Sequence, residues 1–482
     1  MKKQTALIVF VLFIAVICML ILVFIATRKS GNGDSGNITI TNPPGTGSVQ
    51  NTVVSIRVNT SIKYQVIEGF GGSGAYFESL VYNLREPLKT EVLNLLFSDL
   101  GISIYRMRVW SLIEIYNDDN DPNNFNWDGF NFNTDWHQVW NAQQAKARGV
   151  SKFLASVWSP PWWMKSNRKE NGGGYLLPEM YEEFAEWLAA YVIGYRKYHG
   201  IDIGWISIQN EPDFWTEDWE TCVYTPEQLR DLVKVVGRKF KALNLTTKIL
   251  LPETAQVSKA PDYIDVIMSD PEAALYVDVL NFHLYDIDYF DPDSEIIHLE
   301  NVAKRGVKYN RPLWQTEYSY LEFVKAGTLE EALAAAQHIR NTLVYGNASA
   351  YLVWTLFWVG NGLISIDPFG EGYKVNTVYY ALKHYSKFIT PGSRRIYSSS
   401  SDVDILTSAF LDETTNRIIV VIINRSKKQF NAELRIEESV KTSMEQYRTS
   451  SIENCLRLSN IQSSDNIFRI IIPPESIITL IG

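Results

Sequence analysis

Cysteine and histidine are scarce in this chain, with three cysteines and six histidines among 482 residues. Cys18 lies in an N-terminal apolar segment, so a single bridge, Cys222 to Cys455, is the most the rest of the chain allows. A disulfide scaffold is excluded. No Cys/His spacing suggests zinc, and a metal site would have to be built without sequence-local ligands. Basic runs are missing after Lys29 and the net charge is −9, which argues against nucleic acid as a partner. A phosphate-binding loop is missing too. Gly69-Phe-Gly71-Gly-Ser-Gly74 has the spacing of the dinucleotide fingerprint, but Ala-Tyr-Phe-Glu-Ser follows and no helix opens at Gly74. A glycine-rich turn after a strand is expected there. Ser73 is not on a nucleophile elbow, since Ala75 stands where that turn needs glycine.

Apolar and aromatic residues, by contrast, are plentiful. Hydrophobic residues make up 46% of the chain, which excludes a disordered protein, and there are 14 Trp, 26 Tyr and 22 Phe. Tryptophans outside strands suit stacking on the apolar faces of sugar rings. Ala6 to Thr27 is an uncharged apolar stretch between Lys2-Lys3 and Arg28-Lys29, long enough to span a bilayer. Ala-Thr-Arg-Lys makes a poor cleavage site, so residues 1–29 are read as an uncleaved anchor, with a removed signal segment as the alternative. Either way the bulk of the chain is expected outside the cell, tethered to the membrane or secreted. Residues 30–51 turn to Gly, Ser, Asn, Thr and Pro, the composition of a flexible linker. Sequons stand at Asn37, Asn59, Asn244, Asn347 and Asn424.

From residue 67 to 385 short apolar runs alternate with amphipathic stretches. The expected strands are Ile67–Phe70, Ile102–Val109, Phe153–Val157, Trp205–Gln209, Lys248–Leu251, Val277–His283, Leu313–Thr316 and Ala350–Thr355. Helices are expected between them, over Thr134–Ala147, Pro178–His199, Pro226–Leu243 and Thr328–Tyr345 among others. Eight such units predict an α/β fold, a (β/α)8 TIM barrel. Residues 386–482 read as strands and turns, over Val403–Leu411, Arg417–Ile423, Phe430–Ile436, Ile467–Ile472 and Ile477–Ile481, which predicts an attached antiparallel β-sandwich. Residues 52–66 form a further strand expected to join that sandwich, so the barrel would be inserted within one β domain.

Glu211 and Glu317 each follow a short apolar run, Trp205–Asn210 and Pro312–Thr316. A carboxylate at the end of a buried strand is costly unless it is paired, solvated or used. On the fourth and seventh of eight strands, two such residues face each other across the barrel mouth, where active sites of this fold sit. Two facing carboxylates are what glycosidic bond cleavage uses. Period two puts Ile104, Arg106 and Arg108 on one strand face, and the arginine nearer the strand end, Arg108, is the expected carboxylate partner. Trp158-Ser-Pro-Pro-Trp-Trp-Met-Lys165 is either packed loop or sugar platform. His283, Tyr285 and Trp354 point toward the same mouth.

At this point the chain resembles glycoside hydrolase family 30 from about Val53 to Gly482. The likeness rests on Gly69-Phe-Gly-Gly72, Trp158-Ser-Pro-Pro161, Gln209-Asn-Glu-Pro212, His283-Leu-Tyr285, Thr316-Glu-Tyr318 and Lys387-Phe-Ile-Thr-Pro-Gly392. The resemblance implies a barrel with an attached β-sandwich, no cofactor, and cleavage of a β-linked oligosaccharide or polysaccharide with retention. It implies Glu211 as acid/base, Glu317 as nucleophile, Asn210 on the sugar 2-hydroxyl, and Arg108 and His283 supporting the nucleophile. Trp158, Trp163, Tyr285 and Trp354 would line the sugar site. Glu211 would need its pKa raised by burial and by the charge of Glu317.

Trp158–Lys165, Cys222-Val-Tyr-Thr-Pro226 and Leu251-Pro-Glu-Thr254 resemble loops of the xylan-degrading branch. The glucuronoxylan-specific members of that branch carry an arginine after strand eight. Here the loop reads Phe357-Trp-Val-Gly-Asn-Gly-Leu363, with no basic residue. The expectation is therefore an endo-β-1,4-xylanase independent of glucuronate branches. A β-1,6-glucanase or glucosylceramidase-like exo-enzyme is the alternative in the same class, and a non-catalytic, membrane-tethered carbohydrate-binding protein is the alternative outside it.

Overall fold

The structure is a computed structural model, and it describes residues 53–117, 119 and 121–482. The expected anchor (1–29) and linker (30–51) lie outside the described residues, among which no helix is long and apolar enough to cross a membrane.

Eight parallel strands close into a barrel: β2 (Gly69–Ser73), β3 (Ile104–Val109), β4 (Lys152–Val157), β5 (Trp205–Ser207), β6 (Lys248–Thr254), β7 (Val277–His283), β8 (Leu313–Glu317) and β9 (Ala350–Val353). Inside, an apolar layer of Ile104, Leu154, Leu250, Val279, Trp314, Ala350 and Leu352 plugs the lumen, with Trp205 packed against it. Two residues further along on five of these strands the inward position turns polar, at Arg106, Ser156, Ser207, Asn281 and Thr316, all buried. The barrel is thus an apolar plug carrying a polar layer toward its C-terminal mouth.

The glycine-rich run is not a turn after the first strand; it is that strand. A Cβ at Gly71 would lie 2.0 Å from the carbonyl oxygen of Ile104, and one at Gly74 would lie 2.3 Å from the Tyr105 hydroxyl. The glycines let β2 sit close to β3. Among the helices, Pro226–Ala242 shows its start in the sequence. Thr225 and Gln228 form a reciprocal capping box and Pro226 fills the first turn, where no N–H is needed.

β1 (Val54–Val66) precedes the barrel but pairs with β13 (Arg394–Ser400) and β16 (Phe430–Glu437) of the C-terminal β domain. The other strands of that domain are β14 (Ile405–Asp412), β15 (Arg417–Asn424), β17 (Ser443–Ser450), β18 (Glu453–Ser464), β19 (Ile467–Ile472) and β20 (Ser476–Ile481). They surround a core that includes Ile56, Val58, Val420, Ile422, Leu434 and Leu480. The expected all-antiparallel pairing needs one correction. β1 runs parallel to β16, because the incoming N-terminal strand is inserted between β13 and β16 and antiparallel to the first of them. β13, β17 and β18 escaped the sequence reading. Their half-buried residues are largely Ser, Arg, Glu and Tyr, so the apolar alternation that marks a strand is weak.

The two domains meet where the helix Thr377–Ser386 packs on β17, β18 and β20. There His384 bonds Thr479 at 2.8 Å and Thr449 at 2.9 Å, in full burial. Cys222 and Cys455 are both buried and unbridged.

Candidate active site

Strand irregularities aim the acidic residues. Period two turns Trp314 and Thr316 of β8 inward and would turn Glu317 away, but the β7–β8 register shifts between Phe282 and His283 and sets His283 opposite Glu317. Glu317 then reaches the mouth. Its Oε2 accepts from Arg106 at 2.5 Å and its Oε1 from the Tyr285 hydroxyl at 2.9 Å. Glu211 lies beyond the end of β5 in left-handed backbone, at φ 50°. Its Oε1 is 2.9 Å from His283 Nδ1. Glu253 is also left-handed, at φ 56°, and its carbonyl accepts the Glu211 N–H at 2.9 Å. Non-glycine residues pay for such backbone, and the cost gathers where a side chain must be re-aimed.

A fully buried salt-bridge cluster results. Arg106 also donates to Asn210 Oδ1 at 2.6 Å, to Glu253 Oε1 at 3.2 Å and to Ser156 at 3.2 Å. Burial pushes the Glu253 carboxyl up, but Arg106 and hydrogen bonds from His283 and Ser207 bring it down to about 2. Burial pushes His283 down, yet the charge of Glu317 and bonds to Glu211 and Glu253 raise it to about 9. Burial raises the Glu317 carboxyl, Arg106 and His283 oppose that rise, and the charge of Glu211 adds to it. Near neutral pH the mouth therefore holds two cations, Arg106 and His283, against three carboxyl groups. Glu253 is ionised there, and Glu211 and Glu317 are the two carboxyls left at the mouth, the number a double displacement uses.

The separation fits as well. One carboxylate oxygen of Glu211, one of Glu317 and a ring nitrogen of His283 all lie within 4.8 Å of one another. Retaining glycosidases hold their carboxyls roughly 5–5.5 Å apart, and inverting ones leave a wider gap of roughly 6.5–9.5 Å for a water. These three residues are also the one group among the described residues that could hold a metal ion. Arg106 and the His283 proton already supply the positive charge these carboxylates face.

Several assignments change. Arg108 does not meet Glu317. It pairs with Asp135 at 2.9 Å, and its guanidinium lies 3.4 Å from the Trp110 ring centroid and 4.4 Å from that of Tyr76. Arg106 takes the expected role because the polar layer begins one step above the apolar plug, not at the strand end. His283 bonds Glu211, not Glu317, although its charge acts on both. Tyr285 donates its hydroxyl proton to Glu317 and packs against His283 and Tyr318. Asn210 is fixed by Arg106. Trp158 and Trp354 form a wall with Tyr76: their centroids are 5.9 Å apart, and the Arg106 guanidinium sits 4.6 Å from Trp158. Trp163 instead is buried in the main core, with its indole N–H on the Glu114 carbonyl at 3.4 Å. Glu253 and Tyr76 were missed as site residues. The available signal for Glu253 was an acid directly after a proline at the end of an apolar strand, in Leu251-Pro-Glu-Thr254.

Comparison with known proteins agrees with this geometry. Residues 67–320 match the glycosyl hydrolase family 30 TIM-barrel domain, and residues 392–480 match the family 30 beta sandwich domain. Glucuronoxylanase XynC of Bacillus subtilis (strain 168) is 28% identical over 434 residues, which cover 88% of this chain and 91% of that protein. Among solved structures, a GH30 endoxylanase from Clostridium papyrosolvens superposes with a TM-score of 0.72 at 27% identity, over 89% of this chain and 99% of the other. The catalytic domain of GH30 xylanase C from Talaromyces cellulolyticus gives 0.77 at 25% identity, over 89% and 99%. With both domain models matched and a retaining carboxylate pair at the barrel mouth, the chain belongs to glycosyl hydrolase family 30 and is a retaining glycoside hydrolase.

Proposed function

We propose that this hydrolase is an endo-β-1,4-xylanase that does not depend on glucuronate branches. The observation that carries the reading is the Glu211–Glu317 pair, close enough for direct attack, with Arg106 on Glu317 and His283 on Glu211. Glu317 attacks the anomeric carbon, and its Oε1 is steadied by the Tyr285 hydroxyl and its Oε2 by Arg106. Glu211 gives its proton to the leaving oxygen. Once Glu317 is esterified its charge is gone, and Glu211, backed by His283, takes a proton from the attacking water. Xylan as substrate is supported by the names of the similar proteins. Independence from glucuronate is supported by the loop 357–363, which has no basic residue, although XynC is named a glucuronoxylanase. Export and membrane attachment are part of the proposal and rest on the apolar stretch Ala6–Thr27.

The test is the product profile of the full chain on xylan before and after removal of its glucuronate branches, with the anomer of the first product read by NMR. The expected result is the same series of linear oligosaccharides from both, released as the β-anomer. Cleavage only beside glucuronate would overturn the independence. Activity confined to β-1,6-glucan or to release of single terminal sugars would overturn the xylanase reading.

A further inference from the structure

A file of aromatic rings leaves the catalytic cluster on the nucleophile side. Trp354 stands against Trp158 at 5.9 Å, and its backbone N–H donates to the carbonyl of Tyr318, the residue after Glu317. Phe77 touches Trp354 at 6.4 Å and Trp358 at 5.3 Å, and Phe323 lies 5.6 Å from Trp358. The outermost ring, Phe323, is 42% exposed, and Leu321 and Val324 beside it are more exposed still.

This file has a rigid backing. Trp358 belongs to a small sheet of β10 (Phe357–Trp358), β11 (Ile364–Ile366) and β12 (Tyr373–Val375). Asn361 donates to the Tyr320 carbonyl at 2.6 Å and so ties the loop after β9 to the loop after β8. Gly360 makes the seat for Phe323, since a Cβ there would come within 2.5 Å of its ring. The cation on the Phe323 loop, Lys325, is engaged by Glu330 at 2.5 Å and sits 4.0 Å from the Phe290 centroid.

We infer that Trp358 and Phe323 form a binding platform for neutral, unbranched sugar units on the side of the scissile bond that stays with the enzyme. The direction follows from the chemistry. Glu317 bonds the sugar that is retained and Glu211 protonates the part that leaves, so retained units extend toward the loops flanking Glu317. Those loops carry the exposed Phe323 and the half-buried Trp358, and aromatic rings suit the apolar faces of pyranoses. The inference rests on the proposed reading of a neutral, unbranched β-glycan as substrate and deepens it.

The test uses the full chain and its variants Phe323→Ala, Trp358→Ala and Phe323→Tyr. Kinetics are measured on an aryl β-xyloside of one sugar and on linear β-1,4-xylo-oligosaccharides of increasing length. Losing either ring should raise KM for the longest oligomers by about tenfold, the scale of one aromatic contact. On the one-sugar substrate kcat/KM should change by less than about twofold, and Phe323→Tyr should behave as wild type. Equal losses on short and long substrates would show that the rings only hold the loops, and no loss on either would show that they touch nothing. Either result overturns the platform. If wild type cleaves another neutral β-glycan but no xylan, the xylan reading falls alone, and the same variants on oligomers of that glycan decide the platform. Wild-type cleavage confined to glucuronate-branched chains would overturn both.

Discussion

Of the fully buried histidines, His283 lies at the barrel mouth and His384 at the seam between domains, and the surroundings of these two give them opposite charges. Burial alone lowers both. His283 faces Glu211, Glu253 and Glu317, whose charges and hydrogen bonds more than offset that cost and lift it to about 9. His384 faces the hydroxyls of Thr449 and Thr479, with Lys383 as its charged neighbour, and falls to about 3. The seam is built to exclude charge and the mouth to hold it. A fold that needed only stability would make both regions like the seam. The ionised cluster under the mouth is a cost the barrel carries for its chemistry.

The comparison breaks most visibly if the mouth's charges have no chemical role. Glu317→Ala should lower kcat/KM on xylo-oligosaccharides by roughly 10⁴-fold, because no other carboxylate can form the covalent intermediate. Glu211→Ala should cost about 10²–10⁴-fold on the same substrates, but much less on aryl glycosides whose leaving group needs no proton. If both variants lost activity equally on both substrates, the division of roles between the two carboxyls would be wrong.

The next largest effect separates the two arginines of β3. Arg106 is sealed between Glu253 and Glu317, so Arg106→Met strands two buried carboxyls and should destabilise the fold by about 3–5 kcal/mol, as well as abolish activity. Arg108 serves Asp135 and the rings of Tyr76 and Trp110. Arg108→Met should leave a larger share of kcat and act mainly through KM, because it loosens the aromatic wall and not the nucleophile. Denaturant melts and steady-state kinetics on the two variants check this. The reverse ranking in kcat would restore Arg108 as the nucleophile's partner.

These arginines also mark how far the sequence carries. Eight strand-and-helix units, the two glutamates on strands four and seven, and the wall formed by Trp158 and Trp354 follow from period, spacing and position. What failed to follow has a common physical cause. Period two assumes regular strands, and the site is made where they are irregular: at the β7–β8 register shift that turns Glu317 inward, and at the left-handed residues Glu211 and Glu253. Choosing between Arg106 and Arg108 needed the height of the apolar plug inside the barrel, which depends on the stagger of all eight strands. In the β domain, β17 and β18 are largely polar in sequence and β18 buries only Cys455, so neither shows the apolar alternation that marks a strand.

The smallest effect is also the sharpest on the two histidines, because linkage gives their contributions to stability opposite signs. His283 binds its proton more tightly in the fold, near 9 against 6.5 for the free side chain. Its stabilisation is therefore complete below pH 6.5 and is lost as pH rises through about 9. His384 binds its proton less tightly in the fold, near 3 against 6.5, so the folded state favours the neutral ring. Its contribution is complete above pH 6.5 and drains away as pH falls toward 3. The slope each can impose is at most about 1.4 kcal/mol per pH unit, the value for one proton. Melting temperatures of wild type, His283→Gln and His384→Gln across this range separate them. Glu253, held near 2, adds an acid-side loss below 4.5 that cancels between wild type and His384→Gln but is reduced in His283→Gln, because His283 is one of the groups that hold Glu253 down. His384→Gln should lose about 1–3 kcal/mol at neutral pH for its disturbed threonine bonds, yet fall less steeply than wild type between pH 6.5 and 3. His283→Gln should instead flatten the alkaline limb between 6.5 and 9. Parallel curves for all three would mean that the two burials are electrostatically alike, and that the contrast between mouth and seam does not reach the energetics of the fold.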